Sequence, residues 1–358
     1  MKKVLIACVF PKDQVPNQRF RFEQYLDYLS QNGFEITFSN LLSNKDYSIY
    51  FKKGRFFKKG IIVLKGFYKR YRQLKSAYKY DLIFIPRESF ILGTSWFEKQ
   101  FAKKANLIFD FDDAIWITFS ISANRRFKFL KNPNKTGQII KMSDLIFAGN
   151  AYLANYAKQF NKNVVIMPTT IDTDKYQNEY NPDKHHLCIG WSGSFSTIEN
   201  FETCVNALKI LKNKYGSKIY FKVIGDANYR NEELNIIGNP WIETTEVEDL
   251  KEIDIGIMPL PDTDWTRGKC GLKGLQYMAL SIPTVMSPVG VNAEIIQDGV
   301  NGFLASEVHQ WVEKLSLLID SAELRNNIGQ NGRKTVVSKY SINANKELYL
   351  KYFIQESR

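Results

Sequence analysis

Histidine and cysteine are too few and too scattered in this chain to build a metal centre. His185, His186 and His309 show no ligand spacing, and Cys8, Cys188, Cys204 and Cys270 include no C-x-x-C pair. Neither a structural zinc nor a disulfide framework is expected. Long apolar runs are missing as well, since none approaches the ~18 residues a spanning helix needs. The apolar opening, Val4 to Phe10, is too short for a signal peptide and stops at Pro11. It reads as the first strand of a protein expected in the cytoplasm. No repeat at a solenoid period and no low-complexity tract occurs. Disorder is excluded too, because 44% of the residues are hydrophobic and 24% are charged.

What is present is alternation. The 358 residues are too many for one ordinary core and suit two, and strand signals alternate with helix signals along both halves, the pattern of parallel sheets with crossover helices. The first half offers strands at Val4–Val9, Glu35–Ser39, Asp81–Ile85, Leu107–Phe111, Leu145–Ala148 and Val164–Met167, with a helix over Phe20–Gln31 closed by Gly33. Pro168 to His186, rich in Thr, Asp, Asn and Pro, reads as a linker. A second series then predicts strands at Leu187–Trp191, Ile219–Ile224, Ile253–Met258 and Thr284–Met286. Its helices are expected near Thr197–Tyr215, Leu272–Leu280, Ser306–Ile319 and Ser321–Lys339. The expected organisation is a Rossmann-like domain over 1–170, a second over 171–340 and a terminal helix over 341–358 packing back on the first. Such a pair of doubly wound domains is expected to face each other across a ligand-binding cleft.

Charge is uneven. From Met1 to Lys175 the chain has 30 Lys+Arg against 14 Asp+Glu, while the remainder has 19 against 23. The excess is densest from Lys52 to Lys79, where Lys52, Lys53, Arg55, Lys58, Lys59, Lys65, Lys69, Arg70, Arg72, Lys75 and Lys79 alternate with Phe56, Phe57, Phe67, Tyr68 and Tyr71. Cations interleaved with aromatics suit an anionic membrane surface, a phosphorylated substrate or nucleic acid, and a plain solvated face is the alternative.

The most informative segment runs from Pro259 to Ala305. A buried strand there ends in a loop holding Arg267, Gly268, Lys269 and Gly271, and a helix follows. N–H groups at a helix start attract anions, glycine admits a phosphate closely and Arg or Lys supplies the countercharge, so a diphosphate fits this loop. Around it stand Gln276-Tyr277-Met278-Ala279, Ile282-Pro283-Thr284-Val285, Pro288-Val289-Gly290, Glu294-Ile295-Ile296 and Gly299-Val300-Asn301-Gly302-Phe303-Leu304. In this order the motifs resemble the donor segment of the retaining family 4 glycosyltransferases of the GT-B fold. In the first half Arg19-Phe20-Arg21, Pro86-Arg87-Glu88 and Asp110-Phe111-Asp112-Asp113-Ala114-Ile115-Trp116 look like a bacterial surface-polysaccharide branch of those enzymes. The resemblance covers essentially the whole chain.

Departures from the pattern shape what the resemblance implies. Two glutamates separated by seven residues contact the donor in that family, the first its sugar and the second its ribose, and they fall here on Gly268 and Gln276. The first contact is lost; Gln276 still donates and accepts hydrogen bonds to ribose hydroxyls. Where the family commonly places Arg and Lys after the first donor-domain strand, this chain has Gly190-Trp191-Ser192-Gly193-Ser194. The diphosphate is therefore expected at Arg267, Lys269 and Lys273, with Gly193 and Ser194 adding N–H and hydroxyl contacts. Gly225 and Asp226 occupy the start of the family's nucleobase loop, or are an ordinary strand-end turn.

Asp110, Asp112 and Asp113 admit three readings: an Asp-x-Asp metal site, hydrogen-bonding groups for sugar or acceptor, or a helix cap. A complete second α/β series tells against the metal. Asp112, Asp113 and Lys269 are the expected catalytic residues, and Arg19, Arg21, Arg87 and Glu88 the expected acceptor contacts, with surface ion pairing as the alternative for the latter group. The resemblance implies transfer of a hexose-type sugar, with retention and without a metal or cofactor. The donor expected is a UDP-sugar, and the acceptor a lipid-linked or growing surface glycan at the inner face of the plasma membrane. No nucleic-acid partner is expected. Two rivals stand beside this reading: a nucleotide-sugar epimerase of the same fold, and a non-catalytic glycosyltransferase-like partner.

Overall fold

A computed structural model describes residues 1–50, 52, 54–117, 132–178 and 184–356. Lys53 of the basic run and residues 179–183 of the expected linker lie outside the described residues. The chain forms two compact units, one of Met1–Pro168 with Lys346–Arg358 and one of Thr169–Asn345.

In the first unit six parallel strands, β1 (Lys2–Cys8), β2 (Phe34–Asn40), β3 (Leu82–Pro86), β4 (Asn106–Phe111), β5 (Leu145–Ala148) and β6 (Val164–Ile166), lie in the order β2-β1-β3-β4-β5-β6. β1 pairs with β2 on one side and β3 on the other, Val4 standing opposite both Ile36 and Leu82. The buried strands are near-continuous apolar runs, as expected of parallel strands covered on both faces. Strand order reverses between β1 and β3, and doubly wound sheets bind ligands beyond the carboxyl ends at such a point.

The helix expected over Phe20–Gln31 is broken. It becomes a turn of helix at Pro16–Arg19, a 3₁₀ turn at Glu23–Tyr25 and a helix at Leu26–Gln31. Arg19 to Phe22 are all buried, so this stretch has no solvent face and the amphipathic period fails. Burial raises the Glu23 carboxyl to about 7, against the pull of hydrogen bonds from the Asp13 N–H and the Gln18 amide, each 2.9 Å long. A carboxyl that binds its proton more tightly folded than unfolded stabilises the fold below its unfolded value near 4.5, and that stability is lost as pH rises through about 7. We therefore expect the melting temperature of wild type to fall more between pH 5 and 8 than that of Glu23→Gln. Equal slopes in a differential scanning fluorimetry series would refute the assignment.

The basic run forms a 21-residue helix, Phe56–Ser76. Ile62, Gly66, Arg70 and Leu74 make its buried stripe, a stripe whose glycine and arginine hide the apolar period from sequence reading. Arg70 is fully buried because its guanidinium meets the carbonyls of Cys8, Ser39 and Ser89 and the hydroxyl of Ser39. The last helix, Ile342–Glu356, starts in the second unit and ends in the first. There Tyr349 stacks on Tyr25 with centroids 4.1 Å apart and donates to the Arg21 carbonyl at 2.6 Å, and Phe353 sits edge-on to Phe34.

The second unit has five parallel strands: β7 (Leu187–Ser192), β8 (Ile219–Ile224), β11 (Ile255–Met258), β12 (Thr284–Met286) and β13 (Phe303–Leu304). Their order is β13-β12-β11-β7-β8. The antiparallel pair β9 (Arg230–Asn231) and β10 (Ile236–Ile237) follows β8. One core joins Ile189, Trp191 and Val223 of the sheet to Leu208 and Leu211 of helix Val205–Tyr215 and to Leu315 and Leu318 of helix Val308–Asp320. The single helix expected over Thr197–Tyr215 is interrupted before Val205, and the one over Ser321–Lys339 ends in a π turn at Val336–Tyr340. Among the described residues no helix is long and apolar enough to cross a membrane.

Candidate functional site

In the second unit the strand order reverses between β7 and β11, and three loops leave the carboxyl ends around that point. The loop after β7 carries Gly193 and Ser194, and the loop after β8 carries Gly225 and Asp226. These two loops touch. Gly193 N–H donates to the Ile224 carbonyl at 2.8 Å, and a Cβ on Gly225 would lie 1.5 Å from the Gly193 oxygen. Gly225 also has φ of 116°, so space and backbone both demand glycine there. Ser194 closes a capping box with Thr197, and Asp226 accepts from the Asn228 N–H at 3.0 Å.

The loop after β11 leads to the helix Leu272–Ala279, whose N-cap Gly271 sits at φ 70° in the left-handed region. A helix start presents unpaired N–H groups and the positive end of the peptide dipoles. Tyr277 ties this helix to β7, its hydroxyl accepting from the Ser192 N–H at 2.7 Å and lying 3.0 Å from the Ser192 hydroxyl. Burial pushes the Tyr277 phenol up to about 12, so it stays protonated near neutrality. Lys273 Nζ stands 5.6 Å over the Trp191 ring, and the same ring occupies the space a Cβ on Gly193 would need. Lys273 and the Gly193 loop are thus brought together. Lys269 Nζ lies over the Trp265 ring, 4.5 Å from its centroid. Arg267 is engaged by Asp262 at 2.7 and 3.0 Å and by Asp264 at 3.4 Å, and its hydrogen bonds hold the Asp262 carboxyl below its usual value.

Gln276 belongs to a buried polar cluster that sequence reading missed. Its amide nitrogen donates to the Tyr176 hydroxyl at 3.0 Å and to Glu246 Oε1 at 3.3 Å. Tyr176 in turn donates to Glu246 Oε2 at 3.0 Å, and the Trp241 indole N–H to Glu246 Oε1 at 2.9 Å. Tyr176 and Gln276 stand 70 and 30 residues from Glu246 in the chain, and no local signal marks the three as partners.

The first-unit candidates divide into two groups. Arg21 is sealed, its guanidinium donating from Nε and Nη2 to Asp110 and from Nη1 to the Met167 carbonyl. Arg19 is nearly buried, its guanidinium 5.0 Å over the Phe20 ring. Arg87, just after β3, and Asp112, just after β4, lie together and partly open, with the buried Asp113 beside them. Arg87 Nε donates to Asp112 at 2.8 Å, and its Nη2 lies 3.6 Å from Asp113. Arg87 has φ of 59°, an uncommon value for a side chain of this size, and its N–H is held by the Asp110 carbonyl at 2.7 Å. Glu88 is paired with Lys135 at 2.7 Å. Asp112 and Asp113 thus lie in one unit and Lys269 in the other.

Comparison with known proteins agrees with this architecture. Residues 186–321 match the family model described as Glycosyl transferases group 1. The chain is 24% identical over 203 residues to the uncharacterized glycosyltransferase MJ1178 of Methanocaldococcus jannaschii, covering 54% of each chain. It is also 24% identical over 184 residues to the capsular polysaccharide biosynthesis glycosyltransferase CapM of Staphylococcus aureus, covering 48% of this chain and 47% of that one. It spans about half the length of these curated relatives. Among solved structures, Anabaena HepE in complex with UDP and glucose superposes with a TM-score of 0.67 at 11% identity, over 99% of this chain and 100% of that one. Two Rossmann-like parallel-sheet units, the second carrying a glycosyl transferases group 1 match, give this chain the GT-B fold.

Proposed function

We propose that the chain is a glycosyltransferase that takes a hexose-type sugar from a UDP-linked donor held by the second unit. One observation carries this reading. At the β7/β11 switch point the start of helix Leu272–Ala279, Lys273 and the close-set Gly193 and Gly225 loops form a cationic, N–H-rich setting for a diphosphate. HepE, solved with UDP and glucose, and CapM, named for capsular polysaccharide, support the donor class and a surface-glycan acceptor. The reaction is substitution at the anomeric carbon with departure of nucleoside diphosphate. Negative charge grows on the leaving phosphate, so fixed N–H dipoles and Lys273 stabilise the transition state more than the ground state. The product retains the donor's anomeric configuration, and side-chain charge serves where a metal otherwise would. Asp112, Asp113 and Arg87 contact the acceptor, a lipid-linked or growing glycan met at an anionic membrane surface on the cytoplasmic side.

Isothermal titration with UDP, GDP and ADP, followed by transfer assays run in excess EDTA, tests the reading. Lys273→Ala is expected to weaken UDP binding by ~1.5–3 kcal/mol, the range for charged hydrogen bonds. Lys269→Ala and Arg267→Ala should cost less, because Arg267 already answers two carboxylates. Unchanged UDP affinity in Lys273→Ala would remove the phosphate site from this helix start.

A further inference from the structure

We infer that Glu246 and Tyr176 are positioning residues that force Gln276 to present its amide oxygen, and not its nitrogen, to a nucleoside diphosphate. This rests on the reading of the second unit as the donor site. The direction of every hydrogen bond in the cluster follows from what each group can do. Trp241 Nε1 can only donate, and a carboxylate can only accept, so Glu246 Oε1 takes that bond. Tyr176 donates its one proton to Glu246 Oε2, which leaves its oxygen able to accept, and the group that donates to it is the Gln276 amide. The same amide nitrogen also faces Glu246 Oε1. Turned the other way, Gln276 would set its oxygen against a carboxylate oxygen at about the same separation.

The consequence lies at the other end of the side chain. No described residue donates to Gln276 Oε1. It is also not among the sealed oxygens without a partner, which in the described residues belong to Glu98 and Asn292. Gln276 therefore offers an oriented acceptor on helix Leu272–Ala279, one turn beyond its start, suited to a hydroxyl that donates. A glutamate at 276 would offer the same acceptor but would bring a second carboxylate to within about a hydrogen-bond length of Glu246, and like charges so close cannot both stay ionised at neutral pH. Glutamine at 276 and glutamate at 246 thus fit each other. Replacing Glu246 by glutamine reverses the relay: the new amide at position 246 would donate to Tyr176, Tyr176 would donate to position 276, and Gln276 would turn its nitrogen outward.

The test uses the full chain and titrates UDP, 2′-fluoro-2′-deoxy-UDP and 3′-fluoro-3′-deoxy-UDP, because fluorine resembles a hydroxyl in size but cannot donate. In wild type at least one fluoro analogue should bind roughly tenfold more weakly than UDP, the loss of one hydrogen bond. In Glu246→Gln that preference should shrink to within about threefold, since the outward group is now a donor. The exchanged pair E246Q/Q276E should restore it, because the reversed relay again leaves an oxygen outward. Tyr176→Phe, which cuts the relay while keeping the ring, should also lose the preference and serves if Glu246→Gln folds poorly. Equal weakening of UDP and both analogues in Glu246→Gln and Tyr176→Phe would make the cluster merely structural and overturn the proposal. Failure of wild type to bind any nucleotide would overturn the donor site itself, and a wild type indifferent to fluorine would overturn only the role of Gln276.

Discussion

Asp110→Ala should destabilise the first unit by about 3–5 kcal/mol, the usual loss when one partner of a buried ion pair is removed. Arg21 and Asp110 are both essentially without solvent contact, and two of the guanidinium nitrogens bond this one carboxylate. Deleting the carboxylate takes away the anion that two of the guanidinium nitrogens share and leaves a cation in the interior, and no rearrangement of a fully buried side chain returns it to water cheaply. For a unit of this size the loss corresponds to a fall in melting temperature on the order of 10 °C. R21M/D110L, which removes both charges at similar volume, should recover much of it. The experiment also bears on function, because Arg21 had the signature of an acceptor contact in the sequence. If Asp110→Ala melts within a degree or two of wild type while its acceptor KM rises, Arg21 can reach substrate and its burial is not anchoring the fold.

A second large effect is expected at membranes. The helix Phe56–Ser76 turns Phe57, Ile61, Leu64, Tyr68 and Arg72 outward on one stripe, with Lys58, Lys65 and Lys75 beside it. Phe57 is 83% and Leu64 70% exposed, unusual for side chains that gain so much from leaving water. Lys65, Tyr68, Lys69, Arg72, Gln73 and Ser76 also line a shallow cavity of about 460 Å³, without a carboxylate among them. An apolar stripe flanked by cations fits the boundary between headgroups and acyl chains. Each cation near an anionic leaflet contributes about 1 kcal/mol, so changing Lys58, Lys65, Arg72 and Lys75 to Glu should lower partitioning on the order of a thousandfold. Sedimentation with phosphatidylglycerol and phosphatidylcholine vesicles at low and high salt measures it. Binding confined to the anionic vesicles, weakened by salt and abolished in the variant, is the expected result. Equal or absent binding on both lipids would leave the helix as an acceptor surface and point to a soluble acceptor.

Much of the architecture was legible because parallel strands buried on both faces are written as short apolar runs. Leu145–Ala148, Ile219–Ile224 and Thr284–Met286 were readable to their ends. What escaped was decided by partners distant in sequence. The helix through Phe20 fails because Arg21 is drawn inward by Asp110, 89 residues on. Helix Phe56–Ser76 hid behind its charges because its buried face uses Gly66 and Arg70 in place of apolar residues. The departure at Gln276 was visible as a letter, but its meaning depended on Glu246 and Tyr176, which no spacing rule connects to it. Lys273 was named from its helical position. Its neighbour Trp191 emerged only once β7 and the helix Leu272–Ala279 were placed side by side.

The passage of the last helix from one unit to the other has a consequence for how the protein is made. The second unit, Thr169–Asn345, is one continuous stretch, whereas the first is assembled from the beginning of the chain and the residues from Lys346 onward. As a ribosome reads the message, the part synthesised first is therefore the part completed last. Tyr25 and Phe34 wait for Tyr349 and Phe353 while the whole of the second unit emerges and can close on itself. A chain cut short at residue 345 and released would carry a finished second unit and a first unit with exposed aromatic surface, the kind of species that chaperones bind and that aggregates when they do not.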